Sequence, residues 1–149
     1  MAGIGRRDTR PELLVRSLLH RLGYRFRLHR QDLPGCPDIV LPRYRTAVLV
    51  HGCYWHFHRG CPAGRLPGGN RAFWEKKLNG NRRRDRRNER DLHRLGWKVV
   101  TIWECEIERA PSDVARRLTA ELKTSRREQK PSPASRRRTI GRRWKAQCD

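Results

Sequence analysis

At 149 residues, 36% of them hydrophobic, the chain has room for one domain and at most a tail. Its 36 Lys+Arg against 15 Asp+Glu leave a formal net charge of +21, which calls for a polyanionic partner, DNA or RNA before any other. No apolar run approaches membrane-spanning length and no signal peptide opens the chain, so a cytoplasmic protein with no membrane partner is expected. Five cysteines cannot complete a set of disulfides within one chain, and clustered Cys and His in a reducing compartment point to metal.

Residues 1–7 read as a short flexible N-terminus. Thr9 followed by Glu12 is a capping box, so a helix starts there; Leu14, Leu18 and Leu22, widened by Val15 and Leu19, form its apolar stripe. Gly23 ends it. Tyr24 to Leu28 alternates apolar and basic like a half-exposed strand. After the turn Leu33-Pro34-Gly35-Cys36-Pro37, Asp38 opens a short buried strand to Leu41, and Thr46 to Val50 returns as a second.

That strand leads into the densest stretch of the chain, V-H-G-C-Y-W-H-F-H-R-G-C at 50–61. Residues 62–71 follow as a Gly/Pro-rich loop, and 72–95 read as a long helix broken near Asn79-Gly80-Asn81. The second half of that helix carries seven arginines between Arg82 and Arg94 against three acids, a face suited to tracking phosphates. Trp97 to Trp103 is the best strand, and its two tryptophans share a face that we assign to the core. Ser112 to Lys123 forms a closing amphipathic helix. From Ser125 to Asp149 nine basic and two acidic residues accompany Ser and Pro, and this reads as a basic disordered tail behind a domain over 8–124. The order α-β-β-β-α-β-α implies an α/β fold with a small mixed central sheet flanked by helices. No heptad or exposed apolar stripe points to a dimer, so a monomer is expected.

Cys53, His58 and Cys61 are spaced C-x4-H-x2-C, and Cys105 follows directly after the strand at 97–103. Such a set suits tetrahedral structural Zn2+ with no open position for catalysis. Cys36 and Cys148 fit neither spacing nor context and are read as free thiols. Asp38, at the head of a buried strand, is placed to hold a hard cation such as Mg2+; bonding to turn amides is the plain alternative. His51 and His56 are not needed by the zinc, and a neutral imidazole can take a proton from water near neutral pH. Glu12 completes the capping box and could also orient an imidazole. Tyr54, Trp55 and Trp74 lie beside the basic field, where exposed rings stack on or wedge between bases; core packing is the alternative.

Six ordered blocks carry a resemblance: D-T-R-P-E-L-L at 8–14, D-L-P-G-C-P-D-I-V at 32–40, H-G-C-Y-W-H at 51–56, F-W-E-K-K-L at 73–78, R-D-R-R at 84–87 and G-W-K-V-V-T-I-W-E-C at 96–105. The chain resembles the very short patch repair (Vsr-type) endonucleases, bacterial enzymes that nick DNA beside a T:G mismatch left by deamination of 5-methylcytosine. The resemblance implies a restriction-endonuclease-like fold with structural zinc held by Cys53, His58, Cys61 and Cys105. It implies Asp38 and the Val50 backbone carbonyl as Mg2+ ligands, His56 as general base oriented by Glu12, and His51 close to the scissile phosphate. It further implies a wedge of Tyr54, Trp55 and Trp74 entering the duplex, an acidic helix position at Asp85 without an assigned role, a MutL-type partner, and action at the nucleoid. The strand at 46–50 lacks the second acid and the lysine usual in restriction-type sites, which a histidine base would explain. The reading that competes is a non-catalytic zinc-stabilised module binding distorted DNA or structured RNA, which would need neither Asp38, Glu12 nor His56.

Overall fold

The computed structural model describes residues 7–128. Helix α1 (Arg10–Arg21) starts at Thr9, whose hydroxyl accepts from the Glu12 N–H. Glu12 completes the cap one residue earlier than a standard capping box, accepting from the Asp8 N–H at 3.0 Å. The helix ends at Leu22 with Gly23 at φ 82°, and the Tyr24 N–H bonds the Leu19 carbonyl at 3.0 Å, a Schellman closure that needs the left-handed glycine. Val15, Leu18 and Leu19 face the core, while the expected stripe members Leu14 and Leu22 are exposed. The buried face is centred one residue away because α1 leans on the sheet and on the C-terminal helices at once.

The sheet has four strands in chain order: β1 (Arg27–Leu28), β2 (Ile39–Leu41), β3 (Thr46–His51) and β4 (Lys98–Trp103). β1 is shorter than the alternation at 24–28 implied. The first two pairings are antiparallel, and β3 runs parallel to β4 with Val50 opposite Ile102. A parallel pair needs a crossover, which α2 (Arg71–Arg94) supplies. This helix is unbroken through Asn79-Gly80-Asn81, contrary to the sequence expectation. One interior glycine costs a helix only about 1 kcal/mol, and burial of Leu78 and Leu92 on either side of Gly80 outweighs that.

Helices α3 (Glu104–Arg109) and α4 (Pro111–Glu128) follow β4. α4 continues past residue 124 to Glu128, with Ser125 buried; the remainder of the expected tail lies outside the described residues. One sheet face, with Ile39, Leu41, Val48, Val50, Val100 and Ile102, packs on α1, α3 and α4. The other, with Val40 and Ala47, packs on Leu92 of α2, Trp97 and Leu33. Alternation along each strand feeds the two clusters, as expected of a mixed sheet covered on both sides. No helix among the described residues is long and apolar enough to cross a membrane.

Cys36, expected as a free thiol, is disulfide-bonded. It stands partly exposed in a left-handed turn at φ 44°. Cys148 lies outside the described residues.

Candidate active site

The site forms where the parallel strands end. β3 delivers His51 and the loop behind it, and β4 delivers Trp103 and then Cys105 on α3. Because β3 and β4 are in register to His51 opposite Trp103, residues widely separated in the chain meet there.

Asp38 precedes β2, and one of its carboxylate oxygens accepts the Val50 N–H at 2.8 Å. The β2–β3 ladder pairs Ile39 with Val48, so Val50 would fall opposite Pro37; the aspartate side chain takes over the bond from the ladder. The N–H and C=O of a strand residue point to the same side, so the Val50 carbonyl also opens toward Asp38. Burial pushes the Asp38 carboxyl up to about 6, with Glu12 adding to the rise and the Val50 N–H, His56 and Arg16 opposing it. A poorly solvated carboxylate with one hydrogen bond, beside a carbonyl, is a hard-oxygen donor pair that fits Mg2+.

His51 and His56 stack face to face, centroids 3.8 Å apart and planes within 2°. Burial, then the neighbouring His56, pulls His51 down to about 4, so its imidazole is neutral at physiological pH. His56 Nδ1 lies 2.7 Å from Asp85 Oδ2 on α2. An ionised carboxylate only accepts, so Nδ1–H donates and Nε2 is left as the acceptor of a neutral ring. Glu12 is the carboxylate expected beside His56; the one in hydrogen-bond contact with it is Asp85. The buried Glu12 carboxylate is occupied instead by the Asp8 N–H, the Thr9 hydroxyl at 3.1 Å and Arg16 Nη2 at 3.1 Å. Arg16 also bonds Asp8 at 2.6 Å and His29 Nε2 at 3.0 Å, while the His29 N–H donates to the Asp38 carbonyl at 3.2 Å. A chain of contacts thus runs from Glu12 through Arg16 and His29 to the Asp38 backbone carbonyl.

Cys53, His58, Cys61 and Cys105 come together, their ligand atoms all within 4.8 Å of one another, with Cys105 Sγ 3.6 Å from His58 Nδ1. Zn–S and Zn–N bond lengths put the corners of a tetrahedral site roughly 3.6–3.8 Å apart, so the donor set fits zinc. Burial pushes the fully enclosed Cys53 thiol up to about 12, so its thiolate needs a cation beside it. The Cys53 N–H donates to Glu104 at 3.2 Å, and the loop closes on Gly64. Trp103, assigned from the sequence to the core, instead stacks on His58 at 4.1 Å and meets His51 edge-on at 5.3 Å. Trp97 does join the core, with Arg45 and Arg30 over its ring. The difference is position: Trp97 precedes β4 beneath α2, whereas Trp103 ends it at the site.

Tyr54, Trp55 and Trp74 form one cluster, with centroid separations of 5.1, 5.9 and 6.4 Å. Trp55 is 42% exposed. Phe73, which the sequence reading passed over, extends the cluster at 5.3 Å from Trp74 and is 51% exposed. Lys77 Nζ sits 5.2 Å from the Trp74 ring centre and 5.8 Å from that of Trp55. Besides Phe73, the sequence reading missed Arg16, His29 and Asn81. For Asn81 a signal was present: with Asp85 it shares a face of α2 at i, i+4.

A family profile described as DNA mismatch endonuclease Vsr matches residues 1–62. The type II nicking enzyme V.XorIIP of Xanthomonas oryzae pv. oryzae is 52% identical over 107 residues, 72% of this chain and 78% of that protein. The type II nicking enzyme V.NmeAIP of Neisseria meningitidis is 43% identical over 107 residues, 72% of this chain and 76% of that protein. DNA mismatch endonuclease Vsr of Escherichia coli is 41% identical over 107 residues, 72% of this chain and 68% of that protein. The chain belongs to the Vsr family of DNA mismatch endonucleases.

Proposed function

We propose that this protein nicks one DNA strand 5′ to the T of a T:G mismatch by Mg2+-dependent phosphodiester hydrolysis. The observation that carries the reading is the adjacency of Trp55 and His56: an exposed ring of the aromatic cluster and an imidazole held by a carboxylate are consecutive residues of one loop. Mismatch entry and chemistry are thus served by the same few ångströms of backbone.

The aromatic cluster inserts where stacking is weakest, since a wobble pair opens at less cost than a Watson–Crick pair. Arginines along α2 hold the phosphates on either side. His56, its Nδ1–H fixed on Asp85, takes a proton from water at Nε2 as the water oxygen attacks phosphorus. The P–O bond to the leaving oxygen then breaks, and that oxygen is protonated from solvent. His51, neutral and stacked on His56, adds no positive charge beside the base and lies next to the reacting phosphate. Asp38 and the Val50 carbonyl would hold Mg2+, which supplies charge neutralisation at the phosphate and the leaving oxygen. Cys53, His58, Cys61 and Cys105 would hold a structural Zn2+ that fixes the loop without taking part in hydrolysis.

The test is a strand-labelled duplex with one T:G pair in a methylated-cytosine context, beside its T:A control. A single nick 5′ to the T, lost with EDTA and in Asp38→Ala, supports the reading. Tight mismatch binding without any cleavage would replace it with the non-catalytic module.

A further inference from the structure

One face of α2 touches the aromatic cluster, the 55–56 peptide, His56 and the turn ahead of Asp38 in sequence. Trp74 packs in the aromatic cluster, Asn81 bonds the Trp55 carbonyl, Asp85 bonds His56, and Asn88 abuts Gly35 in the turn ahead of Asp38. These positions fall at i, i+7, i+11 and i+14, a single stripe of a straight helix. The hydrogen bond from Asn81 has no place in the proposed chemistry, yet it falls on the peptide group joining Trp55 to His56.

That peptide group is gripped on both sides. Its carbonyl accepts from Asn81 Nδ2 at 3.0 Å, and its N–H donates to the Gly52 carbonyl at 3.1 Å. The Asn81 amide has a fixed sense: Oδ1 accepts from Arg84 Nη2 at 3.0 Å, so Nδ2 faces the carbonyl. On one side of the gripped group lies the exposed Trp55 ring. On the other is the imidazole that must present Nε2 to water, anchored one helical turn beyond Asn81.

We propose that Asn81 is a positioning residue that couples seating of the aromatic wedge to alignment of His56, so that the strand is cut only when the mismatch has been entered. A Trp55 ring held by DNA pulls on its own carbonyl. Asn81 resists that pull on the helix that also holds Asp85, so the imidazole stays in place while the ring is loaded. Without the Asn81 bond the ring can still insert, but the 55–56 peptide is free to turn and the imidazole loses its line to the phosphate. A misplacement of about 1 Å is enough to lower a rate roughly 100-fold. The inference rests on the mismatch-nicking reading.

The experiment uses the full chain and a T:G duplex carrying 2-aminopurine beside the mismatch, whose fluorescence rises when the wedge unstacks it. Asn81→Asp keeps the acceptor for Arg84 and removes the donor to Trp55; Asn81→Ala removes both and guards against a charge effect on DNA. At saturating protein, both variants are expected to retain the fluorescence rise while single-turnover nicking falls roughly 10- to 100-fold. Nicking at the wild-type rate in both variants overturns the inference. So does parallel loss of fluorescence and nicking, which would place Asn81 in insertion itself. If the wild type gives no T:G-specific nick, the underlying reading fails and the inference falls with it; wild-type nicking with unaffected variants sinks only the inference.

Discussion

Asp85 and His56, 29 residues apart in the chain, meet through a 2.7 Å contact between Oδ2 and Nδ1 that favours the ring tautomer with the proton on Nδ1. Asp85→Asn preserves shape but can offer the ring its N–H₂ group, which allows the opposite tautomer. Nicking is expected to fall roughly 100-fold or more, with DNA affinity within about twofold, because a correctly held base is worth on the order of 10²–10⁴ in rate. Single-turnover nicking alongside a binding titration checks this; equal loss in Asp85→Asn and in binding would remove Asp85 from the chemistry.

The raised carboxyl of Asp38 sets a pH window. Its folded value of about 6 lies above the ordinary 3.8, so the fold binds this proton more tightly than the unfolded chain does. Stability of the metal-free protein therefore falls as pH rises from about 3.8 through about 6, and above that the ionised side chain opposes folding by up to about 3 kcal/mol. Asp38→Asn, which can still accept the Val50 N–H, should melt several degrees higher than wild type at pH 7.5 in EDTA while nicking nothing. Nicking by the wild type should decline below about pH 6, and higher Mg2+ should move that acid limb downward, since cation and proton compete for the same oxygens. An acid limb indifferent to Mg2+ would assign it to another group.

Zinc removal is expected to act on the fold of the loop first and on activity second. Metal analysis of the purified protein should give about one zinc per chain, and Cys105→Ser should lose it. That variant should melt well below wild type and lose nicking, since Trp103 stacks on His58 and also meets His51. Asp38→Asn should keep its zinc. Full zinc content in Cys105→Ser would show that Cys105 is not a ligand.

Gly35 has φ 72°, and a Cβ there would lie 2.6 Å from Asn88 Nδ2 and 2.9 Å from Asn88 Cβ. Gly35→Ala is therefore expected to lose about 1–3 kcal/mol and to lower nicking, because the strained turn leads directly into Asp38. Adding Asn88→Ala should recover part of the loss but not the part due to φ. Chemical denaturation of the two single variants and the double variant measures the split, and fully additive effects would mean that the two residues do not meet.

Much of the architecture was legible because it follows local rules. The Thr9–Glu12 cap, the stop at Gly23, the apolar runs at 39–41 and 46–50 and the strand ending at Trp103 are each written in neighbouring residues. The expected break at Asn79-Gly80-Asn81 failed because helix propensity is weak beside the burial of Leu78 and Leu92, which depends on what lies across from them. Leu14 and Leu22 failed as core residues for a related reason: spacing defines a stripe, but the neighbours decide which edge of it is covered.

The sequence by itself determined the donor types, the crowded loop after β3 and the family. Residue identity and spacing single out a candidate Cys–His set and Asp38, His51 and His56 as candidates. Only the tertiary structure decided who holds whom. Asp85 rather than Glu12 reaches His56, Trp103 joins the site rather than the core, and Asn81 grips the wedge loop. Each of these depends on how α2 crosses the sheet and where β4 ends beside β3. Such placements are set by the packing of whole elements, and no window of neighbouring residues contains them.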